Sequence, residues 1–123
     1  MPISDAESRI MELLWQESPR SAEDLAAILL KTQDWQPGTV KALLNRMLRK
    51  RAIAATRDGR RFLYRPLLAR EAYLTEASTA LLDRLFDGRL APLVAHFARH
   101  RRLGRRDLAE LKRLIKEMDD DDA

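Results

Sequence analysis

Apolar positions recur with helical spacing in six stretches of this chain and alternate with strand spacing in one. Over residues 5–16, Ile10, Met11, Leu13, Leu14 and Trp15 supply the inner face of a helix. Ser4 followed by Glu7 is a capping box, in which each side chain bonds the other residue's backbone N–H. Ser18-Pro19 closes that segment. Ser21 and Asp24 form a second, weaker cap ahead of residues 22–31, where Leu25, Ile28 and Leu29 point inward, and residues 32–36 read as a turn. Pro37 suits a first helical position, where its missing N–H costs nothing. Val40, Leu43, Leu44, Met47 and Leu48 then form one apolar stripe of a third helix.

The period changes after Arg51. Ile53, Ala55 and Arg57 alternate with Ala54 and Thr56, and Phe62 and Tyr64 alternate with Arg61, Leu63 and Arg65. Asp58-Gly59 between the two runs is a hairpin signal, and Pro66 stops the second run. Beyond it the pattern is helical again over residues 69–86, 90–100 and 105–118, with Gly88 and Gly104 as breaks. The leucine-rich faces of these three helices have little to bury against within one chain. They predict a dimerisation region in which two chains pool their apolar surface. Asp119 to Asp122 reads as a frayed acidic tail. The expected fold is therefore mainly α with a small β-wing. A winged helix-turn-helix over residues 1–67 precedes a helical dimerisation domain over residues 68–123.

Charge sharpens this picture. The net charge of +4 is unevenly placed. Residues 1–66 hold twelve Lys/Arg against eight Asp/Glu, whereas residues 67–123 hold eleven of each. From Gly38 to Pro66, nine cations face the single acid Asp58, so the positive charge gathers on the third helix and the hairpin. That is the electrostatic footprint of a nucleic-acid binder. The absence of cysteine excludes disulfides and thiolate metal sites. No apolar run approaches the ~20 residues of a membrane span. The polar, acidic N-terminus does not read as a signal peptide, so a cytoplasmic protein without membrane insertion is expected. No nucleophile with a base and an orienting acid appears, nor a phosphate-binding glycine loop, so neither an enzyme nor a cofactor is expected.

The face of the third helix opposite its apolar stripe carries Gly38, Ala42, Asn45 and Arg49, flanked by Lys41 and Arg46. Small residues admit the backbone into a major groove, an amide can pair with a base edge, and cations hold phosphates. Two other readings of the same residues stand beside specific recognition. A nonspecific DNA-coating protein of nucleoid type would bind any duplex alike. A winged-helix protein-interaction module would meet an acidic partner and show no salt-sensitive DNA binding.

The stretches ISDAESRIMELLW, PRSAEDLA, PGTVKALLNRMLRKR and DGRRFLYRP, followed by FDGRLAPLVAHFARH and LAELKRLI, resemble the penicillinase-repressor family in order and spacing over nearly the whole chain. That family groups the BlaI/MecI β-lactam repressors with the CopY copper repressors. The resemblance implies a winged-helix repressor of the bacterial cytoplasm that dimerises through C-terminal helices and binds inverted-repeat operators. In the β-lactam branch a membrane-bound sensor protease leads to cleavage within the C-terminal helices, at an Asn-Phe pair. The corresponding pair here is His96-Phe97, so the phenylalanine is kept and the asparagine is not. The cysteine clusters of the copper branch are absent.

Carried over by position, Thr39, Lys41, Ala42, Asn45 and Arg46 fall where relatives place DNA contacts. Thr39 and Lys41 are expected to hold phosphate near the helix start. Ala42 is expected to meet a thymine methyl or simply give clearance, and Asn45 to bond a base edge. Arg46 and Arg49 are expected to clamp phosphate, with guanine reading as the alternative for Arg46. Arg60 and Arg61 are expected to carry the wing to a flanking backbone or minor groove. The partner is thus a pseudo-palindromic duplex bound by a homodimer, with half-sites about one helical turn, ~34 Å, or a multiple apart. His96 and His100 have the i, i+4 spacing that can grip a metal ion, but two ligands without a third read as surface or interface histidines, and no metal is assigned. Trp15, Trp35 and Tyr64 read as packing residues.

Overall fold

The computed structural model describes residues 2–100 and 103–122. The order of elements is α1 (Asp5–Gln16), β1 (Arg20–Ser21), α2 (Ala22–Gln33), α3 (Pro37–Arg49), β2 (Ile53–Asp58), β3 (Arg61–Pro66), α4 (Arg70–Phe86), α5 (Leu90–Arg99) and α6 (Arg105–Asp122). The chain divides into two compact units, residues 1–74 and 75–123.

In the first unit, α1 begins at the expected capping box. The Ser4 N–H donates to Glu7 Oε1 at 2.9 Å and the Glu7 N–H donates to Ser4 Oγ at 3.1 Å, so two N–H groups without helical partners are satisfied. Ile10, Met11 and Leu14 are fully buried against Leu25 and Leu29 of α2 and Val40, Leu44 and Met47 of α3. Ala52, Ile53 and Tyr64 close this core from the sheet side. Ile28, expected inside, is only half-buried.

Two departures from the sequence pattern have local causes. Helix α2 runs two residues past its expected end, to Gln33, where Asp34 takes a left-handed conformation (φ 58°) and the Trp35 N–H donates to the Leu29 carbonyl at 3.3 Å. Asp tolerates that conformation better than most side chains and so ends the helix without a glycine. The sheet has three strands, in the order β1-β3-β2, rather than two. The added strand is only Arg20–Ser21, paired antiparallel with Tyr64 and Leu63. Ser21 serves two elements at once. It pairs in the sheet, and its hydroxyl accepts from the Asp24 N–H at 3.1 Å as the N-cap of α2. A two-residue strand is too short to show any alternation.

The hairpin turns at Gly59-Arg60, between the paired Asp58 and Arg61. Gly59 has φ +65° and Arg60 does not share it, the glycine-first pattern of a II′ turn whose twist matches the flanking strands. Past residue 67 the first unit takes in the start of α4. The Trp15 indole N–H donates to the Leu68 carbonyl at 2.9 Å, the Trp15 and Tyr73 rings lie 5.6 Å apart, and Arg70 reaches Glu12 at 3.6 Å.

In the second unit, no side chain of α4 or α5 is buried, and Leu85, Leu90, Ile115 and Met118 are more than half exposed. Helix α4 ends at Asp87-Gly88, both with positive φ, and the Gly88 N–H donates to the Leu82 carbonyl at 2.8 Å. Helix α6 continues through Asp122 instead of fraying after Met118. Extending an existing helix adds one hydrogen bond per residue, and here that outweighs the unfavourable placement of carboxylates at a helix C-terminus.

Glu7 is the buried charge of the first unit. Its Oε1 accepts from Lys50 Nζ at 2.6 Å and lies 3.8 Å from Arg46, which ties the start of α1 to the end of α3. Burial raises its pKa, but the bonds from Lys50 and from the Ser4 N–H and hydroxyl outweigh this and hold the carboxyl below its ordinary 4.5. The folded state therefore binds this proton more weakly than the unfolded chain does. The contribution is present above pH 4.5 and is lost as pH falls through the lowered folded value. Glu7→Gln should cost about 1–3 kcal/mol at pH 7 and flatten the acid limb of stability. Urea unfolding at pH 7 and pH 4 checks this, and an unchanged pH dependence in the variant would refute it.

Candidate nucleic-acid interface

Helix α3 forms its own divided surface. Val40, Leu43, Leu44 and Met47 are buried, which turns Gly38, Thr39, Lys41, Ala42, Asn45, Arg46 and Arg49 outward, all of them exposed. A Cβ at Gly38 would meet nothing within 4 Å, so this end of the helix is open to a close approach. The helix starts at Pro37, which has no N–H, and Gln36, its N-cap, makes no side-chain cap bond; the Thr39 N–H donates to the Gln36 carbonyl at 3.0 Å.

The cations differ in how free they are. Among the described residues, Lys41, Arg49 and Arg60 have no ion-pair partner. Arg46 lies at the edge of Glu7's reach, at 3.8 Å, with its side chain half exposed. Arg61 lies 3.4 Å from Asp58 in an exposed pair that solvent screens strongly. Lys50 is different, because its ammonium is held by Glu7 and by the Pro2 carbonyl at 3.1 Å. Its charge is used inside the fold, which a count of lysines and arginines along the chain does not reveal.

The hairpin tip has its own order. Arg57 stacks over the Phe62 ring with its guanidinium carbon 5.8 Å from the centroid, and its Nε donates to the Gly59 carbonyl at 3.0 Å. Arg57 is absent from the expected site residues although it belongs to the same basic cluster. The signal for it is its place immediately before the Asp58-Gly59 pair that marks the hairpin. Tyr64 is core, as expected; burial first and the nearby Glu23 second push its phenol above the ordinary 10.0. His96 and His100 have ring centroids 4.4 Å apart, but among the described residues no group of three or more potential ligands could hold a metal. No described helix is long and apolar enough to cross a membrane.

A helix with one buried apolar face and one exposed basic face, followed by a basic hairpin, is the arrangement of winged DNA readers. Residues 3–117 match the model of the penicillinase repressor family. The chain belongs to the penicillinase repressor family. Members of this family are transcriptional repressors rather than enzymes. The chain is 30% identical over 115 residues to the penicillinase repressor of Bacillus licheniformis, covering 94% of this chain and 90% of that one. It is 25% identical over 113 residues to the methicillin resistance regulatory protein MecI of Mammaliicoccus sciuri, covering 92% of each. The solution structure of the DNA-binding domain of the repressor BlaI matches with a TM-score of 0.54 at 34% identity, over 58% of this chain and 87% of that one. The Bacillus licheniformis BlaI monomer in complex with the blaP half-operator matches with a TM-score of 0.53 at 33% identity, over 59% of this chain and 89% of that one. The fold is thus a penicillinase repressor winged helix followed by helices.

Proposed function

We propose that the chain is a homodimeric, sequence-specific repressor of transcription, acting in the bacterial cytoplasm on a pseudo-palindromic operator. The observation that carries this reading is the exposed face of α3, where Thr39, Lys41, Ala42, Asn45, Arg46 and Arg49 lie together beside a basic hairpin. Its apolar side packs in the core, and of this face Arg46 alone reaches into the unit, 3.8 Å from Glu7, which leaves the other side chains without a structural task there. Similarity to a BlaI domain solved with a half-operator supports a duplex as the partner. In this reading Lys41 and Thr39 hold phosphate at the helix start and Asn45 bonds a base edge. Ala42 lets the helix approach, while Arg46 and Arg49 grip the far strand. Arg60 and Arg61 reach the flanking backbone from the wing.

The exposed leucines of α4 to α6 support dimerisation through residues 75–123, since one chain leaves them without a core. Two reading helices at a fixed separation then require half-sites about one helical turn, ~34 Å, or a multiple apart. Release from DNA by a sensor protease acting on the C-terminal helices belongs to the same proposal. It draws support from the exposed His96-Phe97 pair in α5, where Phe97 is kept from the family pattern.

Fluorescence anisotropy against the duplex upstream of the protein's own gene, beside a scrambled duplex, tests the reading. The native duplex should bind at least ~10³-fold tighter, with two chains per operator. Asn45→Ala should narrow that gap by about 2–6 kcal/mol, by removing one base contact worth ~1–3 kcal/mol from each of the two half-sites. Equal affinity for both duplexes would instead make the chain a nonspecific coating protein.

A further inference from the structure

Between α2, α3 and the wing lies a cavity of about 780 Å³ whose apolar lining DNA recognition does not account for. Its volume is in the range of small-molecule sites, ~300–1,000 Å³. Ala26, Ala27 and Leu30 of α2 line one side, Val40 and Leu48 of α3 another, and Phe62 of β3 a third. Leu30 and Phe62 remain 45% and 47% exposed, so two large apolar side chains of this unit are left half open to water at the cavity, even with Arg57 over the Phe62 ring. A phosphate backbone gains nothing from such walls.

The rim is polar and unevenly charged. Lys41, Asn45, Arg60 and Arg61 line it, against the one acid Glu23. Glu23 lies in the first turn of α2, directly after β1, which pairs with Leu63 and Tyr64 in the middle of β3, whereas Arg60 and Arg61 stand at the hairpin tip. Lys41 and Arg60 have no acidic partner among the described residues, and Arg61 has only the exposed Asp58 at 3.4 Å. An anionic headgroup is repelled from the Glu23 end and attracted to the hairpin tip, where Arg60 and Arg61 lie.

We infer that this cavity is a ligand site for a small amphipathic carboxylate, with an aromatic or branched aliphatic body against Leu30 and Phe62 and its carboxylate on Lys41 and Arg60. Such a ligand takes up the same Lys41, Asn45, Arg60 and Arg61 that the proposed duplex contacts use. Its binding and DNA binding therefore exclude each other, and the ligand acts as an inducer that needs no proteolysis. That consequence rests on the DNA-binding reading, whereas the binding itself does not.

The probe is 4-phenylbutyrate, compared with its neutral carboxamide, titrated into the full ¹⁵N-labelled chain and followed by amide shifts. Saturating shifts are expected at Ala27, Leu30 and Phe62, with the acid bound at least tenfold tighter than the amide. Ala27→Phe should fill the cavity and remove the shifts while the thermal unfolding transition is retained. At ten times its dissociation constant the acid should weaken operator binding by the dimer about 120-fold, elevenfold for each of its two sites, by simple competition. Equal binding of acid and amide would overturn the inference, because the cations would then play no part. Shifts confined to residues 75–122, or none that saturate, would overturn it even if Ala27→Phe failed to fold. Bound acid with unchanged operator affinity would overturn the exclusion. Saturating shifts in a chain that binds no DNA would support the site and overturn the repressor reading alone.

Discussion

Raising salt from ~50 to ~200 mM should weaken operator binding by about 10³- to 10⁵-fold, the loss expected when six to ten phosphates are neutralised. In the proposed dimer, two copies of α3 and the wing would bring ten candidate cations, namely Lys41, Arg46, Arg49, Arg60 and Arg61 from each chain. Not all of them are equal. Lys41 and Arg49 have no acidic partner among the described residues, so each can release a counterion on binding. The double variant Lys41→Gln/Arg49→Gln should reduce the slope of log K against log salt by about 3.6, at ~0.9 for each phosphate that the dimer no longer neutralises. Lys50 supplies the contrast. Its ammonium is 2.6 Å from a fully buried carboxylate, so its charge is already matched in the free protein. Lys50→Met should lower stability and leave the slope unchanged. Anisotropy titrations at four salt concentrations separate these cases. Equal slopes for wild type and the double variant would remove Lys41 and Arg49 from the interface.

Leu44→Ala should destabilise the winged unit by about 2–5 kcal/mol, the usual cost of a cavity at a fully buried leucine. Leu44 is 0% exposed and stands in the one core that joins α1, α2, α3 and the sheet. For a unit of this size each kcal/mol shifts the melting point by about 4–8 °C, and a small domain has only ~5–15 kcal/mol in total. The variant should therefore melt far below the wild type and lose DNA affinity at 37 °C while its exposed face is chemically intact. Leu44→Met, which nearly conserves volume, should cost less than ~1.5 kcal/mol. Calorimetry of both variants decides. A loss as small for alanine as for methionine would mean that α3 is not anchored through this residue.

Much of the fold was legible because local chemistry and tertiary demand agree. The Ser4/Glu7 box, Pro37 at the start of α3 and the hairpin around Asp58-Gly59 are short-range signals that the structure satisfies in place. The stripe Val40, Leu43, Leu44 and Met47 is buried as its spacing requires, and this is what turns Asn45 and its neighbours outward. The candidate site was legible for the same reason, since one periodicity determines both faces of a helix. The end of α2 was not legible, because the left-handed Asp34 that closes it carries no mark that glycine would have carried. Nor was β1, which exists only because β3 offers it a partner.

The sequence by itself determined the helical faces, the hairpin and the placement of nearly all excess positive charge on residues 38–66, because these depend on spacing along the chain. Tertiary structure decided which charges remain available. Glu7 precedes Lys50 by 43 residues, and only folding brings them to 2.6 Å and withdraws that lysine from the surface. It also decided that Leu30 and Phe62, apolar residues of different elements, meet at one open cavity beside Lys41 and Arg60. Contacts between distant segments depend on how elements pack, and no local pattern encodes them.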